Sequence, residues 1–251
     1  MDQQTLIEPV SAKPIIQVDA LPKDSINLSD CTQLEFYKDN IIVQRALEFI
    51  KSRRLDTAAN KPNAFYVSLN DKVHSNRLII PFADTGGRIV HYQTRTILKA
   101  DEKIRPRYMS KQGSEKTLFN FDKIDANMDN IFVFEGPLNA CFCKNGVAVA
   151  GIQDNSDKTF THKQQEQMQR LPFHSHVWVL DSQWIDAAAL NKSKLLAANG
   201  ESIFIWPEKM GKRIKDFNDL AITANIDQIS PEFVLSNTYK GVAAEIRLRA
   251  M

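Results

Sequence analysis

Apolar residues recur at Val43, Ala46, Leu47 and Ile50, the three-and-four spacing of an amphipathic helix, and the pattern predicts one from Val43 to Leu55. Lys51, Arg53 and Arg54 crowd its last turn, where cations complement the helix dipole. Beyond residue 64 the period shortens. FYVSL, RLIIPF, RIVHYQTRTI and RPRYMSK are short β-rich runs separated by turn formers such as Asp84-Thr85-Gly86-Gly87, and they predict a small mixed sheet within 64–121. From residue 131 apolar runs alternate with amphipathic ones: strand IFVF, helix PLNACFCK, strand VAVA, helix HKQQEQMQRL, strand VWVL, helix IDAAALNKSKLLAA, strand SIFIW, then DFNDLAITA. That alternation predicts a parallel sheet covered on both faces, whose ligands sit at the carboxyl ends of the strands. Residues 1–30, with Pro9, Pro14 and Pro22 and no long apolar face, read as a leader or linker.

Charge changes this picture only locally. Across 251 residues, 32 Lys and Arg against 30 Asp and Glu leave a net +2, which excludes a polybasic binder. Residues 77–116, however, hold nine Lys/Arg against four Asp/Glu, a balance of +5. Tyr92 and Tyr108 lie among those cations, a combination suited to tracking a polyanion. No run approaches the length of a membrane span and no signal-peptide pattern opens the chain, so a cytoplasmic protein is expected.

Three cysteines, Cys31, Cys141 and Cys143, make neither a disulfide framework nor a zinc-ribbon set. Cys141 and Cys143 fall two apart in a segment read as helix, where they point to different faces and cannot easily grip one ion. His174 and His176 read as surface residues ahead of strand VWVL; within a strand they would share a face and, with a third ligand, could bind zinc.

The acids carry the chemistry. Glu135 follows strand IFVF, Asp181 follows VWVL, and Asp216 opens DFND shortly after SIFIW. Three carboxylates at one sheet edge repel one another and suit a hard cation such as Mg²⁺. Alternatively, each is a helix N-cap.

The words around these acids, FEGPLNA, VLDSQ and IFIWPEKMGKRIKDFNDLA, resemble the three acidic motifs of the TOPRIM fold in DnaG-type primases, in particular those of T-even-type bacteriophages. Upstream, NRLIIPFADTGGRIVHYQTRTI, PRYMSK and LFN are similar to the amino-terminal half of that family's RNA-polymerase core, in the family's order. The resemblance covers roughly residues 31–251, including YKGVAAEIRLRA. It implies an α/β fold in which a TOPRIM parallel sheet flanked by helices follows a small mixed α+β basic subdomain. The division expected is a leader over 1–30, the basic subdomain over 31–125, TOPRIM over 126–225 and a helical segment over 226–251.

By the same resemblance the activity is synthesis of short RNA primers on single-stranded DNA, within a phage-type primosome working in the host cytoplasm. Glu135, Asp181 and Asp216 are the expected catalytic acids, and with Gln183 and Asp219 they form the expected site for Mg²⁺ or Mn²⁺. Arg77, Arg95, Arg107, Tyr108 and Lys215 are the expected nucleic-acid or nucleotide contacts, and Gly136 is expected to let the chain turn after the catalytic strand. Expected partners are the template, ribonucleoside triphosphates and a replicative helicase.

Two positions depart from the family: Asn139 and Gln183 stand where it commonly has acids. Each amide keeps an oxygen and drops a charge, which favours the alternative of a catalytically degenerate module binding nucleic acid or a helicase; Asp186 and Asp219 are candidates to compensate. A TOPRIM nuclease or topoisomerase-like enzyme fits the acids but not the upstream words. The family's zinc-binding module has no Cys/His set here, so no zinc is expected in this chain, and a separate zinc-binding protein is a candidate supplier.

Overall fold

The computed structural model describes residues 21–151 and 160–251. The first sheet runs in the order β1 (Ile26–Asn27), β2 (Tyr66–Val67), β3 (Arg77–Ala83), β4 (Ile89–Thr96), β5 (Tyr108–Ser110). Every pairing in it is antiparallel, so the mixed sheet expected from the pattern is corrected. Spatial neighbours here are neighbours in sequence, and from β2 to β5 the connections are too short for the crossovers that parallel pairing needs; β1 also pairs antiparallel, although both helices of this half lie between it and β2. The linker reading is corrected too where it reaches Ile26 and Asn27, which pair with β2; most of the leader lies outside the described residues. Pro81 sits in β3 beyond the reach of two-residue β2, whose partners are Leu78 and Ile79, so its missing N–H costs no ladder bond.

Two helices lie against this sheet, α1 (Cys31–Phe36) and α2 (Ile41–Ser52). The Asn40 side chain caps α2 by accepting from the N–H groups of Ile42 and Val43. Val43, Ala46 and Ile50 are buried in one core with Leu78, Ile80 and Phe82, as their spacing predicts, while Leu55 is buried in the turn beyond the helix.

The second sheet has the order β7 (Gly146–Ala148), β6 (Asn130–Phe134), β8 (Ser175–Val179), β9 (Ser202–Phe204), β10 (Thr238–Lys240). β6 to β9 are parallel; β10 adds antiparallel to β9. The helices that accompany it are α3 (Pro137–Ala140), α4 (His162–Gln169), α5 (Ala187–Ala198), α6 (Glu208–Gly211), α7 (Phe217–Ala224), α8 (Pro231–Ser236) and α9 (Gly241–Arg249). Residues 226–251 were expected to be helical, yet they place β10 on the sheet edge between α8 and α9, where Thr238, Tyr239 and Lys240 bury no apolar run that could mark a strand.

Alternate residues of β6 and β8 feed opposite faces. Phe132, Phe134, Val177 and Val179 join the core shared with the first sheet, and Ile131, Val133 and Trp178 join the other, beneath α5 and α9. Burial on both faces explains the near-continuous apolar runs. Helix α3 ends at Ala140, so neither Cys141 nor Cys143 is helical as expected; both are buried, and burial pushes the Cys141 thiol up to about 12, far from a metal-binding thiolate. Among the described residues no helix is long and apolar enough to cross a membrane.

Candidate active site

The chain leaves β6 for β7 on one side of the second sheet and returns to β8 on the other. The crevice between the carboxyl ends of β6 and β8 is therefore a topological switch point. Glu135 follows β6 directly and Asp181 lies two residues past β8. Asp181 is held by its neighbours: Leu180 O accepts from Trp206 Nε1 at 3.0 Å, Ser182 N–H donates to Lys215 O at 2.7 Å, and Ser182 Oγ donates to Gly211 O at 2.7 Å. Gly211 permits that approach, since a Cβ there would meet Trp184 at 2.4 Å and Trp206 at 2.8 Å.

Asp216 reaches the same edge by another route. It is the N-cap of α7, accepting from Asp219 N–H at 2.8 Å. The next residue, Phe217, is 1% exposed and packs on Phe134, Phe204 and Trp206 with ring centroids 5.1–5.6 Å apart. Burial of that ring contributes about 3 kcal/mol or more and pins the start of α7, and Asp216 with it, to the ends of the strands. The N-cap and cleft readings of Asp216 thus both hold.

The facing wall comes from the first sheet. A cleft of about 530 Å³ is lined by Glu135, Asp181 and Asp216 together with Arg53, Arg95, Arg107, Tyr108, Lys116 and Lys215. Arg95, 6% exposed, has its guanidinium carbon 4.8 Å from the Tyr108 ring centroid and 3.7 Å separates it from the Glu102 carboxylate. Its Nε and Nη1 have no hydrogen-bond partner among the described residues. Arg95 also lines the cleft, and a guanidinium there adds positive charge suited to an incoming anion. Lys116 donates to Ala150 O at 2.8 Å, and burial lowers its pKa.

The acids feel one another. Burial first, then Asp216 and Glu135, push Asp181 up to about 7, and Lys215, 3.7 Å away, only partly offsets them. Burial also raises Asp216, against the hydrogen bond from Asp219 N–H. Crowded carboxylates of this kind have the donor chemistry for a hard cation. Among the described residues, however, no three His, Cys, Asp or Glu side chains stand converged as a ready metal group.

Several expected site residues lie elsewhere. Arg77 is fully buried: its Nε donates to Thr94 Oγ1 and its Nη2 to the carbonyls of Thr94, Pro106 and Arg107, so it braces the β4–β5 connection and has no exposure for a phosphate. Gln183, 2% exposed, donates to Ser193 Oγ and Phe204 O and accepts from Trp206 N–H, which turns it away from the cleft and toward β9. Asp219 accepts from Lys215 N–H and Asp186 caps α5 through Ala189 N–H; neither lines the cleft. Gly136 lines it with an ordinary extended backbone, φ −113°, so no special turn requires glycine; the space a side chain would fill is open. His174 precedes β8 and His176 lies within it at its amino end, and among the described residues no metal group includes them.

Other residues enter the cleft without having been expected there. Arg53 and Lys116 were visible only as members of cation-rich stretches, and Gln93 and Asn218 gave no signal, because only the meeting of the two sheets brings them together.

No protein-family model matches this chain. In sequence it is similar to the DNA primase of Enterobacteria phage T4, 25% identical over 180 residues that make up 70% of this chain and 48% of that protein. The chain thus spans about half the length of that relative. In fold it is similar to the structure of the DnaG catalytic core, with a TM-score of 0.55 and 11% identity over 85% of this chain and 79% of that one. A further likeness is to the RNA polymerase domain of Mycobacterium tuberculosis DnaG in complex with double-stranded DNA, at TM-score 0.48 and 16% identity over 87% and 67% of the two chains. The α/β architecture, a mostly parallel five-stranded sheet joined to an antiparallel one of five strands, is similar in fold to the DnaG catalytic core, and in sequence the chain is similar to the phage T4 DNA primase.

Proposed function

We propose that the chain is a primase core that joins ribonucleotides into short RNA primers on single-stranded DNA. One observation carries this reading: a single cleft has carboxylates at the strand ends of one sheet and Arg53, Arg95, Arg107, Tyr108 and Lys116 on the other wall. Phosphoryl transfer needs both, because the incoming triphosphate and template are polyanions and charge builds on the phosphoryl oxygens during reaction. On this reading Arg95 and Arg107 hold phosphates, Tyr108 and its neighbours support the template, and Lys215 stands beside the reacting groups.

Glu135, Asp181 and Asp216 are the residues that would hold Mg²⁺ or Mn²⁺. The bound ion supplies charge neutralisation and alignment of the attacking and leaving oxygens. The chain's own contribution is to keep the acids apart from the basic wall, so that nucleotide and template enter between them. Gln183 is not among the ligands, since its amide is used on β9. A replicative helicase, a separate zinc-binding protein and action in the cytoplasm of a phage host belong to the same proposal.

The deciding experiment is primer synthesis on single-stranded DNA with four ribonucleotides and Mg²⁺ or Mn²⁺, with and without the helicase and zinc-binding protein of the same source. Primers that disappear with Glu135→Gln support the reading. Binding to single-stranded DNA with no synthesis under any of these conditions supports the second one, a degenerate binding module.

A further inference from the structure

A chain of side-chain contacts crosses the cleft floor through residues that the proposed chemistry leaves without a task. Asn139 Oδ1 accepts from the backbone N–H of Asn218 at 3.1 Å, and Asn139 Nδ2 donates to Asp181 Oδ1 at 3.4 Å. Asn218, 2% exposed, accepts at Oδ1 from Arg53 Nη1 at 3.0 Å and donates from Nδ2 to the Arg53 carbonyl at 2.7 Å. Two of these contacts satisfy backbone groups that helix ends leave open. The Asn218 N–H is an unpaired donor of the first turn of α7, whose neighbour at Asp219 is already taken by Asp216, and Arg53 is the C-cap of α2.

We propose that Asn139 and Asn218 are positioning residues, an amide relay that orients the Asp181 carboxylate and ties it to Arg53 on the basic wall. The catalytic part of this proposal rests on the primase reading; the relay itself does not. The residue type follows from what each position must do. An amide offers an acceptor and a donor at once, so Asn139 serves Asn218 and Asp181 with its two ends. A carboxylate at 139 keeps the first bond and places oxygen against oxygen toward Asp181, in a cleft that already gathers Asp216 and Glu135. A leucine at 139 keeps the volume and loses both contacts. Asn139 is therefore no weakened copy of a lost acid; it holds a remaining one in place.

The test uses the full chain with Asn139→Asp, Asn139→Leu and Asn218→Ala, the double variant Asn139→Leu/Asn218→Ala, and the exchange Asn139→Asp/Asp181→Asn. Primer-extension kinetics separate kcat from the KM for template. Asn139→Asp and Asn139→Leu should each lower kcat by about tenfold with KM for template unchanged, and the double variant should be no worse than its weaker parent. Asn139→Asp should lower the melting temperature, and the exchange, which restores a donor facing an acceptor, should recover it without recovering activity.

A faster Asn139→Asp enzyme, or one that binds Mn²⁺ more tightly in calorimetry, would overturn the relay, as would losses that add in the double variant. Should the wild-type chain make no primers, the primase reading is what fails. The relay is then decided by melting temperatures alone: recovery in the exchange and coupling between positions 139 and 218 support it, and simple additivity with no recovery overturns it.

Discussion

The two walls of the cleft support their charges in different ways. On the parallel side each acid stands at the boundary of an element that buries apolar side chains: Glu135 directly after β6, Asp181 just past β8, Asp216 at the N-cap of α7. Position in the chain therefore fixes position in the site. On the antiparallel side cations are scattered along strands and connections, and their sequence neighbours say little about where they point. Arg77 and Arg95, both in strands of one sheet and both nearly inaccessible, show the contrast. One is buried to brace a loop with carbonyl hydrogen bonds; the other lines the cleft. Periodic local structure makes the acidic wall legible, and tertiary pairing alone sorts the basic one.

The sharpest break would come from the acids. Glu135→Gln should lower primer synthesis on the order of 10²–10³-fold in single-turnover assays while leaving affinity for single-stranded DNA near wild type. Equal losses of both would mean that the acidic wall carries the fold and not the chemistry.

Second, the acids should make stability depend on pH. The Asp181 carboxyl sits at about 7 in the folded chain against an ordinary carboxylate value near 4, so its contribution is full at low pH and is lost as pH rises through about 7. Asp181→Asn should remove that loss and stabilise the metal-free protein by a few kcal/mol at pH 8, with little change at pH 4, in denaturant unfolding. Added Mg²⁺ should stabilise wild type more than this variant. A wild-type profile flat from pH 4 to 8 would refute the crowding of the acids.

Third, Arg77→Met should cost about 2–3 kcal/mol of stability, because it strips donors from buried carbonyls, yet leave the salt dependence of DNA binding unchanged where the chain stays folded. The smallest effect belongs to Arg95→Gln. It should lower affinity for single-stranded DNA by about tenfold and flatten the slope of log affinity against log salt by somewhat under one unit. If the two arginines behave alike in salt titrations, the division drawn between them is wrong.

These outcomes bear on how far the chain could be read before folding. The helix around Val43–Ile50, the run of strands from Arg77 to Ser110 and the alternation after residue 131 were all visible, because each buries a face large enough to impose a period. Strand β10 was not, because TYK carries no buried apolar run, and Pro137–Ala140 was read as part of a longer helix because its apolar content continues into Cys141, Phe142 and Cys143. At the site, the three acids, Arg95, Arg107, Tyr108 and Lys215 were named from sequence and do line the cleft. Arg77, Gln183 and Asp219 were named and do not.

The sequence by itself determined which residues alternate, where each apolar strand ends, and hence which carboxylates stand at the carboxyl edge of a parallel sheet; these are consequences of local geometry and of burial on two faces. Only the tertiary structure decided which cations meet those acids. It also sent the Gln183 amide to β9 and put the Asn139 amide to use between Asp181 and α7. The physical reason is that a polar side chain goes where unpaired partners wait, and those partners, helix ends and strand-edge carbonyls from distant parts of the chain, exist only once the two sheets have packed.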